Sequence, residues 1–205
     1  MNRKLHYLSG VIISIFVGLH LWNHVGSIDG ADAHIARMDT LRVFYRNIFV
    51  ESILLAAVLV QIISGWKLFR LHRKTATGLY EKLHVWSGAY LAVFFIFHIS
   101  AVMAGRFLLH LDTNFYFGVA GLNTFPLSLF FIPYYSLAIL SFFGHIAAIH
   151  HKKMRHHILG ISPAAQSAVL LGVGIGLTAF ILYGLTNHFN GVPIPEDYKI
   201  LTGQM

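Results

Sequence analysis

Hydrophobic and polar positions alternate along this chain on a long wavelength. Five runs of more than twenty mostly apolar residues, at about 5–25, 48–71, 83–105, 127–150 and 163–185, are separated by short polar, charge-bearing segments. A helix needs about 20 such residues to cross the hydrocarbon core of a bilayer. The pattern therefore predicts an all-α integral membrane bundle of five transmembrane helices. One membrane domain fills residues 1–205 and ends in a short outer C-terminal tail. The fifth run starts well, with Ser162 placed to cap it and Pro163 at the first helical position. Pro133 either kinks the fourth helix or marks its start. The first run is too long and too soon followed by charge to read as a cleaved signal, and it lacks a small-residue cleavage site.

Composition strengthens this reading. The chain is 56% hydrophobic and 11% charged, with a mean hydropathy of +0.65, whereas soluble domains carry about 25% charged residues. Charge then orients the bundle. With the N-terminus inside, the inner side holds Arg3, Lys4, Lys67, Arg70, Arg73, Lys74, Lys82, Lys152, Lys153 and Arg155. The outer side holds Arg37, Arg42, Arg46, Arg106 and Lys199. That ten-to-five division predicts N-in, C-out in the inner (cytoplasmic) membrane. It also accounts for most of the basic balance, so no nucleic-acid partner is implied. There is no cysteine, which excludes disulfides, iron–sulfur ligation and thiol chemistry by this chain.

All eight acids lie in loops or at helix ends. An ion-coupled transporter usually keeps a carboxylate at mid-membrane, and none is expected here. The intramembrane ionisable groups are instead histidines, of which the chain has fourteen. Two helices carry them in a repeated design: KLHYLSGVIISIFVGLH, residues 4–20, and KLHVWSGAYLAVFFIFH, residues 82–98. Both read Lys-Leu-His-x-x-Ser-Gly, and both place the next histidine ten residues after the glycine. The two histidines of each segment are fourteen residues apart. On a helix that is about 21 Å in height and about 40° in azimuth.

His20 and His98 thus share a depth in the outer half, while His6 and His84 open the same two helices at the inner side. His145 lies about five residues from the inner end of the fourth helix. Two neutral imidazoles facing one another across a bundle core suit a six-coordinate haem iron. Gly10, Gly18, Gly88 and Gly144 lie on the helices that carry these histidines and would leave room for a flat macrocycle. For His6 and His84, interfacial roles such as bonding a haem propionate or a quinone rival ligation. His24, four residues beyond His20, reads as interfacial, with an i, i+4 metal pair as the alternative. HHKKMRHH (150–157) reads as a positive-inside loop, with partner docking as the sharper alternative. His34, His72, His110 and His188 read as loop or helix-end residues.

Over most of residues 3–154 the chain resembles the single-chain cytochrome b membrane anchor of succinate:quinone oxidoreductases and fumarate reductases. The likeness rests on five helices, the RKLHYLSG opening, the His20-Leu21 pair, GWKLF after the second helix, and the positions of His98 and His145. The family's Leu-His-Arg-x-Ser-Gly signature is matched except at the arginine, where Tyr7 and Val85 stand. The resemblance implies that His20 and His98 hold an outer haem and that His145 holds an inner one with a partner on the second helix. That partner is missing, because Gln61 occupies its place. Either the inner haem is absent, or His84, His6 or Gln61 completes its ligand set.

The resulting expectation is a haem b protein with one or two haems, about 20 Å apart if there are two. It would pass electrons between a quinone and flavin and iron–sulfur subunits docked on the inner face, where the succinate or fumarate chemistry would reside. Arg3, Ser9, Trp86 and Ser87 are candidates to contact the quinone or a propionate. The segments 26–47 and 107–125 would cap the outer side. A homo-oligomer is compatible with this. The alternatives are a free-standing cytochrome b or the anchor of another quinone-linked complex, and, in another class, a haem or metal carrier that binds reversibly through the same histidines.

Overall fold

The computed structural model describes residues 3–204. Its long helices are α1 (Arg3–Val25), α3 (Ile48–His72), α4 (Leu79–Phe107), α6 (Ser128–Lys153) and α7 (Pro163–Leu185), and the short ones are α2 (Ala31–Tyr45) and α5 (Phe115–Val119). Two 3-10 turns, Gly26–Asp29 and Glu196–Thr202, complete the elements. No β-strand occurs among the described residues. All five long helices are long and apolar enough to cross a membrane. Their outward faces carry large apolar residues such as Ile15, Phe97 and Ile175, each more than 60% exposed. That is the surface a lipid-embedded bundle presents.

The long helices form a closed ring in which α1 packs on α3, α3 on α4, α4 on α6, α6 on α7, and α7 on α1. Consequently α1 and α4, the two helices with the repeated histidine design, are not ring neighbours and face each other across its interior. Small residues let the walls close. Gly174 lies under the Phe143 ring and Gly144 under Leu83. Tyr90 ties α4 to α6 by donating its hydroxyl to the Tyr134 carbonyl (2.8 Å).

Local chemistry explains where the helices begin and end. Ser162 accepts from the Ala165 amide (3.3 Å) with Pro163 behind it, as expected. α4 starts four residues earlier than the apolar pattern indicated, because Glu81 accepts from the Thr77 (3.0 Å) and Gly78 (3.2 Å) amides and caps the extra turn. Pro133 lies inside α6 and not at its start. The helix is nucleated before it, by Ser128 N–H donating to Thr124 O (2.9 Å) and Phe131 N–H to Leu127 O (3.0 Å).

One end of the ring is covered. The 26–47 and 107–125 segments lie there as expected, but they are helical caps, joined by the C-terminal 3-10 turn. Arg42 pairs with Asp112 (2.7 Å) and Tyr198 donates its hydroxyl to the Asp112 carbonyl (3.0 Å). Beneath the cap an apolar cluster of Leu21, Phe115, Val119, Leu122, Ile139, Ile181 and Leu185 is almost fully buried. The opposite, uncapped end carries the 154–162 turn, closed by a two-way backbone pairing of Ile158 with Ile161.

Gly184 is where α7 meets the cap. A side-chain carbon there would stand 2.9 Å from the Ile28 amide nitrogen and 3.0 Å from the Ser27 carbonyl carbon, and backbone cannot step aside. Gly184→Val should therefore cost about 1–3 kcal/mol or more. The expected result is a lower melting temperature in detergent and faster proteolysis within 26–45; wild-type behaviour on both counts would contradict this packing.

Candidate functional site

Histidines gather at both ends of the bundle, and the two sets differ in kind. At the capped end, all five long helices and the caps line a cavity of about 310 Å³, walled mainly by aliphatic and phenyl side chains. That lies within the range of small-molecule and cofactor sites, about 300–1,000 Å³. His20 and His98 enter it from opposite walls. Their ring centroids are 6.2 Å apart and their planes are inclined at 67°. No hydrogen bond joins them, and His98 has no hydrogen-bond partner among the described residues. Its ring is held by stacking on Phe94 (5.0 Å between centroids) and by an edge contact with Tyr135 (6.4 Å).

The 6.2 Å separation has a chemical meaning. An imidazole nitrogen lies roughly 1.1 Å from its ring centre and about 2 Å from a metal it binds, so two axial imidazoles on one ion have centroids about 6.2 Å apart. An imidazole with no partner in an apolar cavity forgoes about 1–3 kcal/mol, which a metal bond would restore. Among the described residues no three His, Asp or Glu side chains are arranged to hold a bare metal ion. A haem needs no such trio, because its macrocycle supplies the equatorial nitrogens and the protein only the axial pair.

The cavity rim is cationic. Arg46 donates to Thr113 Oγ1 (2.8 Å), and Arg106 pairs with Glu51; both arginines line the cavity together with Tyr45 and Asn114. These groups could receive the carboxylates of a cofactor whose body lies among the phenyl rings.

The uncapped end is built the other way. His84 and His145 come together as a pair, but their centroids are only 4.5 Å apart and leave no room for an ion between them. His145 Nδ1 donates to the His84 carbonyl (3.1 Å) and lies 3.3 Å from Ser87 Oγ. His6 Nδ1 is bonded to Ser64 Oγ (2.6 Å). Gln61 donates through Nε2 to the His6 carbonyl (2.5 Å) and to Ser9 Oγ (2.7 Å), and its amide lies over Gly10. None of His6, His84 and His145 lines the cavity. Ser9 and Ser87 are buried and bonded within the bundle, whereas Trp86 is exposed and packs edge-on against Phe69. The side chain of Arg3 lies outside the described residues.

The glycines have a different use from the one expected. Gly10 receives Gln61, Gly88 receives the His145 ring and Gly144 receives Leu83, while Gly18 faces open space. Gly10, Gly88 and Gly144 therefore close helix contacts and do not open a slot for a macrocycle. Two histidines near His20 also proved more central than expected. His24 is bonded to His20 (Nε2 to Nε2, 3.2 Å), and His34, only 2% exposed, is bonded to His24 (3.2 Å). The signal for His34 was present: it pairs with Met38 at i, i+4 on one face of a polar helix, and those two are its buried residues. Of the 150–157 loop, His150 bonds Gln166 (2.9 Å) and His151 stacks on Tyr80.

No family model matches the chain, and neither a curated protein nor a solved structure does.

The cap carries a pH dependence. Burial foremost, then the neighbouring His20, Arg37 and Arg42, pushes the His34 imidazole down from 6.5 to about 4. The neutral ring therefore stabilises the docked cap fully above pH 6.5, and that contribution is lost as pH falls towards 4. Amide exchange in α2 should accelerate across that window in the wild type and do so less in His34→Gln. Identical pH profiles for the two proteins would contradict it.

Proposed function

We propose that this chain is a haem b membrane subunit of a quinone-linked redox enzyme. It lies N-in, C-out in the cytoplasmic membrane, with the capped end outside, as the lysine and arginine distribution favours. The observation that carries the reading is the His20–His98 pair, opposed across an apolar cavity at the spacing of two axial ligands and without a bond between them.

The chain's own residues have separable tasks in this reading. His20 and His98 would hold the haem iron from α1 and α4. Phe16, Phe94, Phe95 and Phe142 line the cavity with apolar surface. Arg46 and Arg106, with Tyr45, Thr113 and Asn114, offer charge and hydrogen bonds to carboxylates at the rim. Bound there, a haem iron supplies one-electron transfer between donor and acceptor. The uncapped end favours a single haem: His84 and His145 are in contact, and Gln61 is engaged by α1. That end is also strongly basic, with Lys67, Arg70, Arg73, Lys74, Lys82, Lys152, Lys153 and Arg155 in its sequence segments. It would dock flavin and iron–sulfur subunits of the succinate dehydrogenase or fumarate reductase kind, as the sequence resemblance over residues 3–154 implies. Quinone would meet the bundle beside Trp86, the outward-facing member of the inner candidate set.

Purification in mild detergent from haem-supplied cells, followed by reduced-minus-oxidised spectra and a pyridine haemochrome assay, tests this. One low-spin b-type haem per chain is expected. It should vanish in His98→Ala and persist in His145→Ala. Absence of haem from the wild type would overturn the proposal, and a second haem lost with His145 would overturn the single-site version.

A further inference from the structure

The two proposed ligands are supported very differently, and the difference points to a residue with a role of its own. His98 is held only by ring contacts. His20 instead begins a line of side chains that leads away from the cavity into the cap. His20 Nε2 lies 3.2 Å from His24 Nε2, His24 Nδ1 lies 3.2 Å from His34 Nε2, and His34 Nε2 lies 3.3 Å from Asn23 Nδ2. The last two residues are at most 4% exposed. Because His24 uses both of its ring nitrogens, the line is continuous, and its protons can be assigned in order.

A metal-bound imidazole keeps its proton on the nitrogen that does not bind. With a metal on His20 Nδ1, Nε2–H therefore donates to His24 Nε2. Neutral His24 then carries its own proton on Nδ1 and donates it to the lone pair of His34 Nε2. Asn23 Nδ2 lies 3.3 Å from the same nitrogen and can only share that lone pair. Asn23 Oδ1 and His34 Nδ1 are buried without partners.

We infer that His24, held by His34 and Asn23, is a positioning residue: it selects the ligating tautomer of His20 and, by accepting its N–H, makes His20 a stronger electron donor to the metal. Outer partners of metal-bound histidines act in this way, fixing the ring and raising its basicity. The inference rests on the cytochrome reading of the His20–His98 site. It goes beyond that reading in assigning different strengths to the two ligands. His20 is the anchored, electron-rich one, and His98 is the plain one.

A stronger donor favours the oxidised iron, so removing the bond should raise the reduction potential. The test uses the full chain in detergent: redox titration, together with low-temperature electron paramagnetic resonance of the oxidised protein, on wild type, His24→Ala, His24→Gln and His34→Ala. His24→Ala should retain a low-spin haem, or bind it 10–100-fold more weakly. Its preference for oxidised over reduced iron should fall about tenfold, which is 59 mV upward for one electron, with altered g-values. His24→Gln, whose amide oxygen can accept, should shift less, and His34→Ala should shift in the same direction as His24→Ala. A wild-type potential and wild-type g-values in haem-loaded His24→Ala would overturn the inference, leaving His24 a packing residue. Loss of haem from His24→Gln in a folded chain would also overturn it, by making His24 a ligand. A wild type without haem is a different failure, that of the cytochrome reading itself.

Discussion

Imidazoles inside a membrane bundle must find partners, because no water is present to satisfy them, and this constraint organises the molecule. Each unsatisfied buried polar group costs about 1–3 kcal/mol, so the bundle has to supply a bond for every ring it encloses or hold open a place for something that will. It does the first for His6 and His145 at its uncapped end and the second beneath its cap. Below, His6 meets Ser64 and His145 meets the His84 carbonyl. Above, His98 reaches an apolar cavity with no partner among the described residues and faces His20 at 6.2 Å. The repeated Lys-Leu-His-x-x-Ser-Gly design therefore ends in two different outcomes on the same pair of helices.

Gln61 marks the division. Its amide joins α3 to α1 through the His6 carbonyl and Ser9, over Gly10. A side chain engaged in this way closes the space between helices that a second macrocycle would need. The capped end lacks such a clamp, and there α2 and α5 cover a volume that the long helices leave open. Ion pairs and hydrogen bonds at the rim, Arg42 with Asp112 and Arg46 with Thr113, hold those caps without filling the interior.

Much of the frame was legible in the sequence, because transmembrane length and apolarity are read directly from composition. All five spans lie where the apolar runs put them, and the Ser162-Pro163 start is as expected. What the pattern did not disclose came from local bonds and tertiary contacts. Glu81 caps an extra turn of α4, and the helix containing Pro133 begins earlier, at Ser128. Gly10, Gly88 and Gly144 turned out to be contact points, since a glycine in sequence does not say what approaches it. His34 looked like a loop residue because α2 is too polar and short to register as part of the bundle. Its place in the line from His20 to Asn23 depends on how the cap folds back over the ring.

In the proposed function, His20 and His98 bind one iron from opposite sides of the cavity. Near-infrared magnetic circular dichroism of the oxidised, purified chain tests that most directly, because its charge-transfer bands report the two axial ligands of a ferric haem. A single low-spin centre with two imidazole nitrogens is expected. A high-spin or exchangeable centre, or a ligand pair other than bis-imidazole, would contradict it.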